Sequence, residues 1–300
     1  MFRSALGLIA ASALLLVPMS SRAAIDLLAA VPADYEVVAS LDTRQIIDSS
    51  TFKAAWPVLK KPKSDAQLAG LKAISGVDLM KDVDRVSLFS RVNDDDSVGV
   101  VFEGRFDEAR LLVLVQANST YKTYQQGGRA IHEWLDEGED RLKFATFPEP
   151  GALILWNSKA AMEASVAAMG NPAGALKGTA EAKAVPADAA TLAGWGILIT
   201  RQETCPGAKL RVASATATMR LTGEEMNMTM TVAPEPDFAT QWLDMAKGAK
   251  ALAQIQRDNP MLAEMAGKVT FPPAQDGRVI EMNMTLANDE LIDLATQVQH

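Results

Sequence analysis

The tetrapeptide Val-Pro-Ala-Asp occurs twice in this chain, at 31–34 and again at 185–188. It does not recur alone. Thr43-Arg44-Gln45 returns as Thr200-Arg201-Gln202, and Gly128-Arg129-Ala130-Ile131 returns loosely as Gly277-Arg278-Val279-Ile280. Three matches in one order, at nearly one offset, predict two related halves in tandem.

Local patterning gives each half the same kind of content. Tyr35 to Asp42 alternates and reads as a strand. Thr43 to Leu59 reads as a helix interrupted at Pro57, because proline lacks the donor a helix interior needs. A second helix is predicted from Ser64, with Gln67 as its capping-box partner. Arg85 to Val92 and Val98 to Phe106 form a hairpin closed by Asn93-Asp94-Asp95-Asp96. Asp107 caps a helix that runs to about Asn118. Strands at 129–135, 142–147 and 152–156 follow, and Asn157 or Ser158 caps a helix ending near Gly170. In the second half, strands are predicted at 195–200, 209–221, 224–232, 269–271 and 278–286. Asp237 and Asn288 cap the two helices there. Strands joined by short turns pair antiparallel. The fold class is therefore α+β: two tandem halves, each an antiparallel sheet with helices packed on one face, with strand-strand-helix as the repeated unit. The boundaries expected are 24–170 for the first half, an Ala-, Gly- and Lys-rich linker at 171–184, and 185–300 for the second.

Residues 1–23 read as a signal peptide. Met1-Phe2-Arg3 is a basic start, Ala5 to Met19 is apolar, and small Ser21 and Ala23 occupy the −3 and −1 positions of a cut after Ala23. The apolar run is shorter than the roughly 17–25 residues of a membrane helix. No second apolar run of this kind follows, so no transmembrane span is expected after cleavage, and the protein is expected to be periplasmic or secreted. The formal charge is −8. Arg3 and Arg22 leave with the signal peptide, making the mature chain more acidic still. An acidic surface repels phosphate backbones, which argues against nucleic-acid binding. The single cysteine, Cys205, excludes an intramolecular disulfide.

Residue types that carry chemistry are sparse. Cys205 sits in an acidic turn, Glu203 to Gly207, where negative charge raises a thiol pKa and disfavours a nucleophilic role. The two histidines are His132 and His300. His132-Glu133-Trp134-Leu135-Asp136 lacks the second histidine of a zinc-protease motif and falls in a predicted strand, where residues four apart cannot chelate one ion. Asp94-Asp95-Asp96 lacks the glycine and distal glutamate of a calcium loop. Asp82 and Asp84 share one face at a strand entrance and read as a charged edge. No nucleophile elbow, phosphate loop or dinucleotide fingerprint is present.

One pattern stands out. Met226, Met228 and Met230 alternate along one strand, and Met282 and Met284 alternate along another. Period-two spacing puts each set on one face. Methionine is an adaptable apolar filler, and these positions continue a face that includes Ile280 and Leu286. Clustered thioethers are also soft ligands suited to Cu(I).

The opening of the chain resembles a group of exported bacterial proteins of unknown function. The likeness rests on Val31-Pro32-Ala33-Asp34, Val37 to Asp42 and Phe52-Lys53. It continues through Val77-Asp78-Leu79, Asp82 to Val86 and Gly104 to Asp107. The resemblance implies an α+β envelope protein and assigns no functional residue. The expected function is a non-catalytic binding or interaction module for an envelope protein or a small ligand, with no cofactor and no catalytic residue nominated. A hydrolase using dispersed Asp and Glu is the alternative, and Cu(I) binding by the methionines a further one.

Overall fold

The computed structural model describes residues 26–59, 62–92, 94–199, 212–255, 260–272 and 279–297. The signal-peptide segment, Cys205 and His300 lie outside the described residues. The chain divides into two compact units. One takes residues up to 48 together with 62–183, and the other takes 49–59 together with 184 onward.

The first unit opens with helix α1 (Leu27–Ala30), strand β1 (Val37–Asp42) and helix α2 (Thr43–Asp48). Asp42 fixes the junction, its Oδ1 accepting the Gln45 N–H at 2.8 Å. The helix predicted from Thr43 to Leu59 breaks at Ser49 rather than at Pro57. Ser49 Oγ accepts the Phe52 N–H at 3.0 Å, which satisfies a free donor and starts a new helix, α3 (Ser50–Leu59). Pro57 is held within it. Helix α3 belongs to the second unit.

Helices α4 (Pro62–Ser75) and α5 (Leu79–Asp82) lead into β2 (Val83–Arg91) and β3 (Asp94–Gly104). The acidic run expected as the hairpin's tip opens β3 instead, with Asp94 paired in register to Arg91. Helix α6 (Glu108–Gln116) is capped by Asp107, whose Oδ1 accepts the Arg110 N–H at 3.2 Å. Strands β4 (Lys122–Gln126), β5 (Arg129–Asp136), β6 (Arg141–Thr146) and β7 (Ala152–Trp156) follow, then α7 (Lys159–Gly170), capped by Ser158. The sheet order is β1-β2-β3-β7-β6-β5-β4, and the pairs are antiparallel. Strand β4 was not foreseen, because Lys-Thr-Tyr-Gln-Gln shows no apolar alternation. The readable signal is the pair Gly127-Gly128, both at positive φ, which is the two-residue turn that closes a tight hairpin.

The centre of this unit is aromatic. Tyr35, Phe89 and Trp156 are each 1% exposed or less. Their rings meet edge-on, with centroids 4.8 to 6.1 Å apart. Gly99 lets β3 approach them: a Cβ there would overlap the Phe89 ring and lie 2.8 Å from Trp156. Burial pushes the Tyr35 hydroxyl pKa up to about 12, against the pull of Arg91. Helix α7 covers the sheet through Met162 and Val166, and Ser165 donates to the Ala30 carbonyl at 2.6 Å. A smaller cluster of Val83, Val86 and Phe102 packs with Leu153 and Leu155. The stretch 171–184 folds as 3-10 turns. Leu176 within it is fully buried, and its N–H donates to the Val31 carbonyl.

The second unit carries β8 (Gly194–Ile199), β9 (Val212–Thr222), β10 (Glu225–Pro234) and β11 (Ile280–Ala287), in that order and antiparallel. Its helices are α3, α8 (Ala239–Gln254), α9 (Pro260–Lys268) and α10 (Asn288–Gln297). Two expected caps are made differently. Asp237 lies in a 3-10 turn, and Phe238 precedes α8 without a side-chain bond. At α10 the Glu290 carboxylate reaches back to the Ala287 N–H at 2.9 Å, which is the glutamate half of a capping box. Among the described residues Asn288 Oδ1 is buried without a partner. Bonded to the Lys268 ammonium and to that N–H, Glu290 holds its pKa below the ordinary carboxylate value.

Both copies of Val-Pro-Ala-Asp make the same local turn. Pro32 accepts from the Tyr35 N–H, and Pro186 accepts from the Ala189 N–H. Each aspartate then pairs with an arginine in its own unit, Asp34 with Arg91 and Asp188 with Arg220.

Candidate ligand cleft

Register decides what the methionine strands present. Met230 stands opposite Met282, Met228 opposite Met284, and Met226 opposite Leu286. Directly opposed residues share a face, with Cβ atoms about 4.5–5.5 Å apart. The five methionines singled out in the sequence therefore come together on one face of β10 and β11. Strand β9 adds Met219, opposite Met228, a member the sequence reading missed because β9 shows only one methionine.

The opposite face explains the residues between them. Thr229 donates to Asn283 Oδ1 at 2.7 Å, and Thr285 donates to Asn227 Oδ1 at 2.8 Å. Asn227 also donates to Thr222 at 2.9 Å. These cross-strand amide–hydroxyl bonds hold β9, β10 and β11 in register from the polar side and fix which face the thioethers occupy.

The methionine face is only partly covered. Val232, Ile280 and Leu286 are buried, but none of the five methionines is, and Met230 is 43% exposed. Helix α8 lies over one end. Trp242, Met245, Ala246 and Ala249 recur at helical spacing, which makes one stripe toward the sheet. Between that stripe and Met230, Val232, Ile280 and Met282 lies a cleft of about 220 Å³. Its lining surface, among the described residues, is apolar. Trp242 and Leu243 also pack on the buried cluster of Val212, Ala215, Val232 and Ile280. Among the described residues the Trp242 Nε1 is buried and has no acceptor.

The other sequence candidates serve elsewhere. His132 sits in β5, 6% exposed and stacked on Tyr121, whose hydroxyl meets its Nδ1 at 2.9 Å. Burial lowers its pKa. Asp136 caps a turn through the Gly138 N–H, so the 132–136 segment is divided between structural tasks. Asp82 accepts the Asp78 N–H at 2.7 Å, and Asp84 pairs with Arg44. Asp94 and Asp96 pair with Arg91 and Arg141. Among the described residues no group of three or more His, Cys, Asp or Glu is placed to hold a metal ion. Nor, among them, is any helix long and apolar enough to cross a membrane.

No protein-family model matches this chain, and no curated protein matches it. Solved structures do. The chain is similar to "Structure of crystal form I of TP0453", at 10% identity and a TM-score of 0.47, over 92% of this chain and 98% of that one. It is also similar to "Structure of crystal form IV of TP0453", at 11% identity and a TM-score of 0.49, over 93% and 98%.

Proposed function

We propose that this chain is an exported, non-catalytic binding module of the bacterial envelope, and that the cleft under α8 takes the apolar part of a small ligand. The cleft carries the reading. A space of about 220 Å³ with an apolar lining gains from displacing water and, among the described residues, is lined by no acid or base. Methionines suit such a site because their unbranched thioethers adapt to the guest. Export is supported by the pattern of residues 1–23. Purified protein should bind the apolar fluorophore N-phenyl-1-naphthylamine one to one, and Ala249→Trp, which fills the cleft, should abolish the signal. Unchanged binding in that variant would refute the assignment of the site. Cell fractionation with N-terminal sequencing tests export, the expected first residue being Ala24.

A second reading is Cu(I) binding by Met228, Met230, Met282 and Met284, supported by their shared face and register. Protein loaded with Cu(I) under reducing conditions and found metal-free after desalting would dispose of it.

A further inference from the structure

Among the described residues, the exposed methionines are Met230 and Met245, at 43% and 39%. They stand on opposite walls of the same cleft, Met230 on β10 and Met245 on α8. Resting on the reading that the cleft is a ligand site, we infer that this pair is an oxidation site that controls it: peroxide converts both thioethers to sulfoxides, α8 leaves the sheet, and the guest is released.

Helix α8 is lightly held. None of its 16 residues is buried, and no side chain caps its start. Leu252 and the following Ile255 are exposed at its far end. Its apolar packing on the sheet is therefore concentrated in Trp242, Leu243, Met245, Ala246 and Ala249. A segment with few buried apolar contacts opens at low cost.

The chemistry needs only an oxidant of the peroxide class. A thioether sulfur donates an electron pair to one peroxide oxygen, and the S–O bond forms as the O–O bond breaks. The departing hydroxide takes the remaining proton and leaves as water, so sulfur is oxidised as the peroxide is reduced. The product replaces a flexible apolar group with a polar one. The cleft's apolar lining offers its oxygen no donor among the described residues. Turned inward, that oxygen is buried unpaired, which is costly. Turned to water, it withdraws the side chain from the cleft. In both cases the packing of α8 across the cleft is weakened.

Purified protein is treated with hydrogen peroxide until peptide mass spectrometry shows oxygen on Met230 and Met245, and amide hydrogen exchange is then read across 239–254. The expected result is exchange about tenfold faster in α8, unchanged exchange in α7 of the first unit, and loss of N-phenyl-1-naphthylamine binding. Methionine sulfoxide reductases for both epimers, with dithiothreitol, should restore protection and binding. The double variant Met230→Leu with Met245→Leu keeps the volumes and should keep α8 protected after the same treatment. Full protection of α8 in protein carrying both sulfoxides, or equal loss in the leucine variant, would overturn the oxidation site. If that variant fails to fold, recovery of the unaltered protein on reduction decides, and failure to recover would overturn it. Failure of N-phenyl-1-naphthylamine to bind before oxidation would overturn the ligand reading, while exchange in α8 still decides the oxidation step. Binding that persists once α8 has loosened would overturn control of the guest.

Discussion

Met230 of β10 and Met282 of β11 face each other directly across the sheet, and both line the cleft beneath α8. They are not equally sheltered, Met230 being 43% exposed and Met282 half-buried. Oxidation of methionine to the sulfoxide follows access. Mild hydrogen peroxide should therefore modify Met230 and the 39%-exposed Met245 before Met228, Met282 and Met284. Peptide mass spectrometry over a time course reads that order, and uniform oxidation of all five would contradict the placement of α8. Met282→Leu keeps the volume and should cost less than about 1.5 kcal/mol in urea unfolding.

Gly99 is required by its neighbours. A side chain there runs into Phe89 and Trp156, rings that are 0% and 1% exposed and cannot swing into solvent. Gly99→Ala should destabilise the protein by about 1–3 kcal/mol, the range for overfilling a packed core. Chemical denaturation with tryptophan emission measures it. By contrast, an added Cβ at Gly70 meets nothing within 4 Å, so Gly70→Ala should be neutral or stabilising.

His132 gives the first unit a pH dependence with a definite sign. Its folded pKa lies below the ordinary value because burial disfavours the imidazolium. The unfolded chain therefore takes up the proton first as pH falls, and stability declines from about pH 6.5 downward until the folded value is passed. Above that window the histidine is neutral in both states and contributes no slope. His132→Gln should flatten the acid-side loss in melting experiments between pH 7 and pH 5. An unchanged slope would assign the loss to carboxylates.

Ser49 is the reason one predicted helix became two. Its hydroxyl caps α3, so Ser49→Ala should cost about 1 kcal/mol, whereas Ser49→Asp should retain most of the cap. Urea midpoints of the pair decide it. Equal losses in the two variants would show that the hydroxyl does not act as a cap.

How far the sequence disclosed these features depends on the range of the forces involved. Asp107 and Ser158 were readable as caps because a cap acts within three residues. The methionine face was readable because the strand period is two. Strand β4 was not readable from hydropathy, since an edge strand of lysine, threonine and glutamine buries little, although Gly127-Gly128 marked its turn. The half-open state of the methionine face was beyond any local pattern. It follows from where α8 comes to lie, and that is set by Trp242 and Leu243 against β9, β10 and β11. That Trp242 Nε1 has no acceptor among the described residues is of the same kind, because it is a property of the assembled surroundings.

Helix α3 packs on α10, and Ser50 donates to the carbonyl of Gly223. It is synthesised before most of the first unit, yet it belongs to the second. Neither unit is a single continuous stretch of chain. A fragment stopped at residue 183 would carry an apolar helix with no partner, and a fragment begun at 184 would lack the cover for its last helix. As the chain emerges during synthesis, α3 must stay uncommitted until the C-terminal residues follow. The last ten residues of structure thus act as the closing step for a segment laid down near the start, so premature termination would be felt at both ends of the protein.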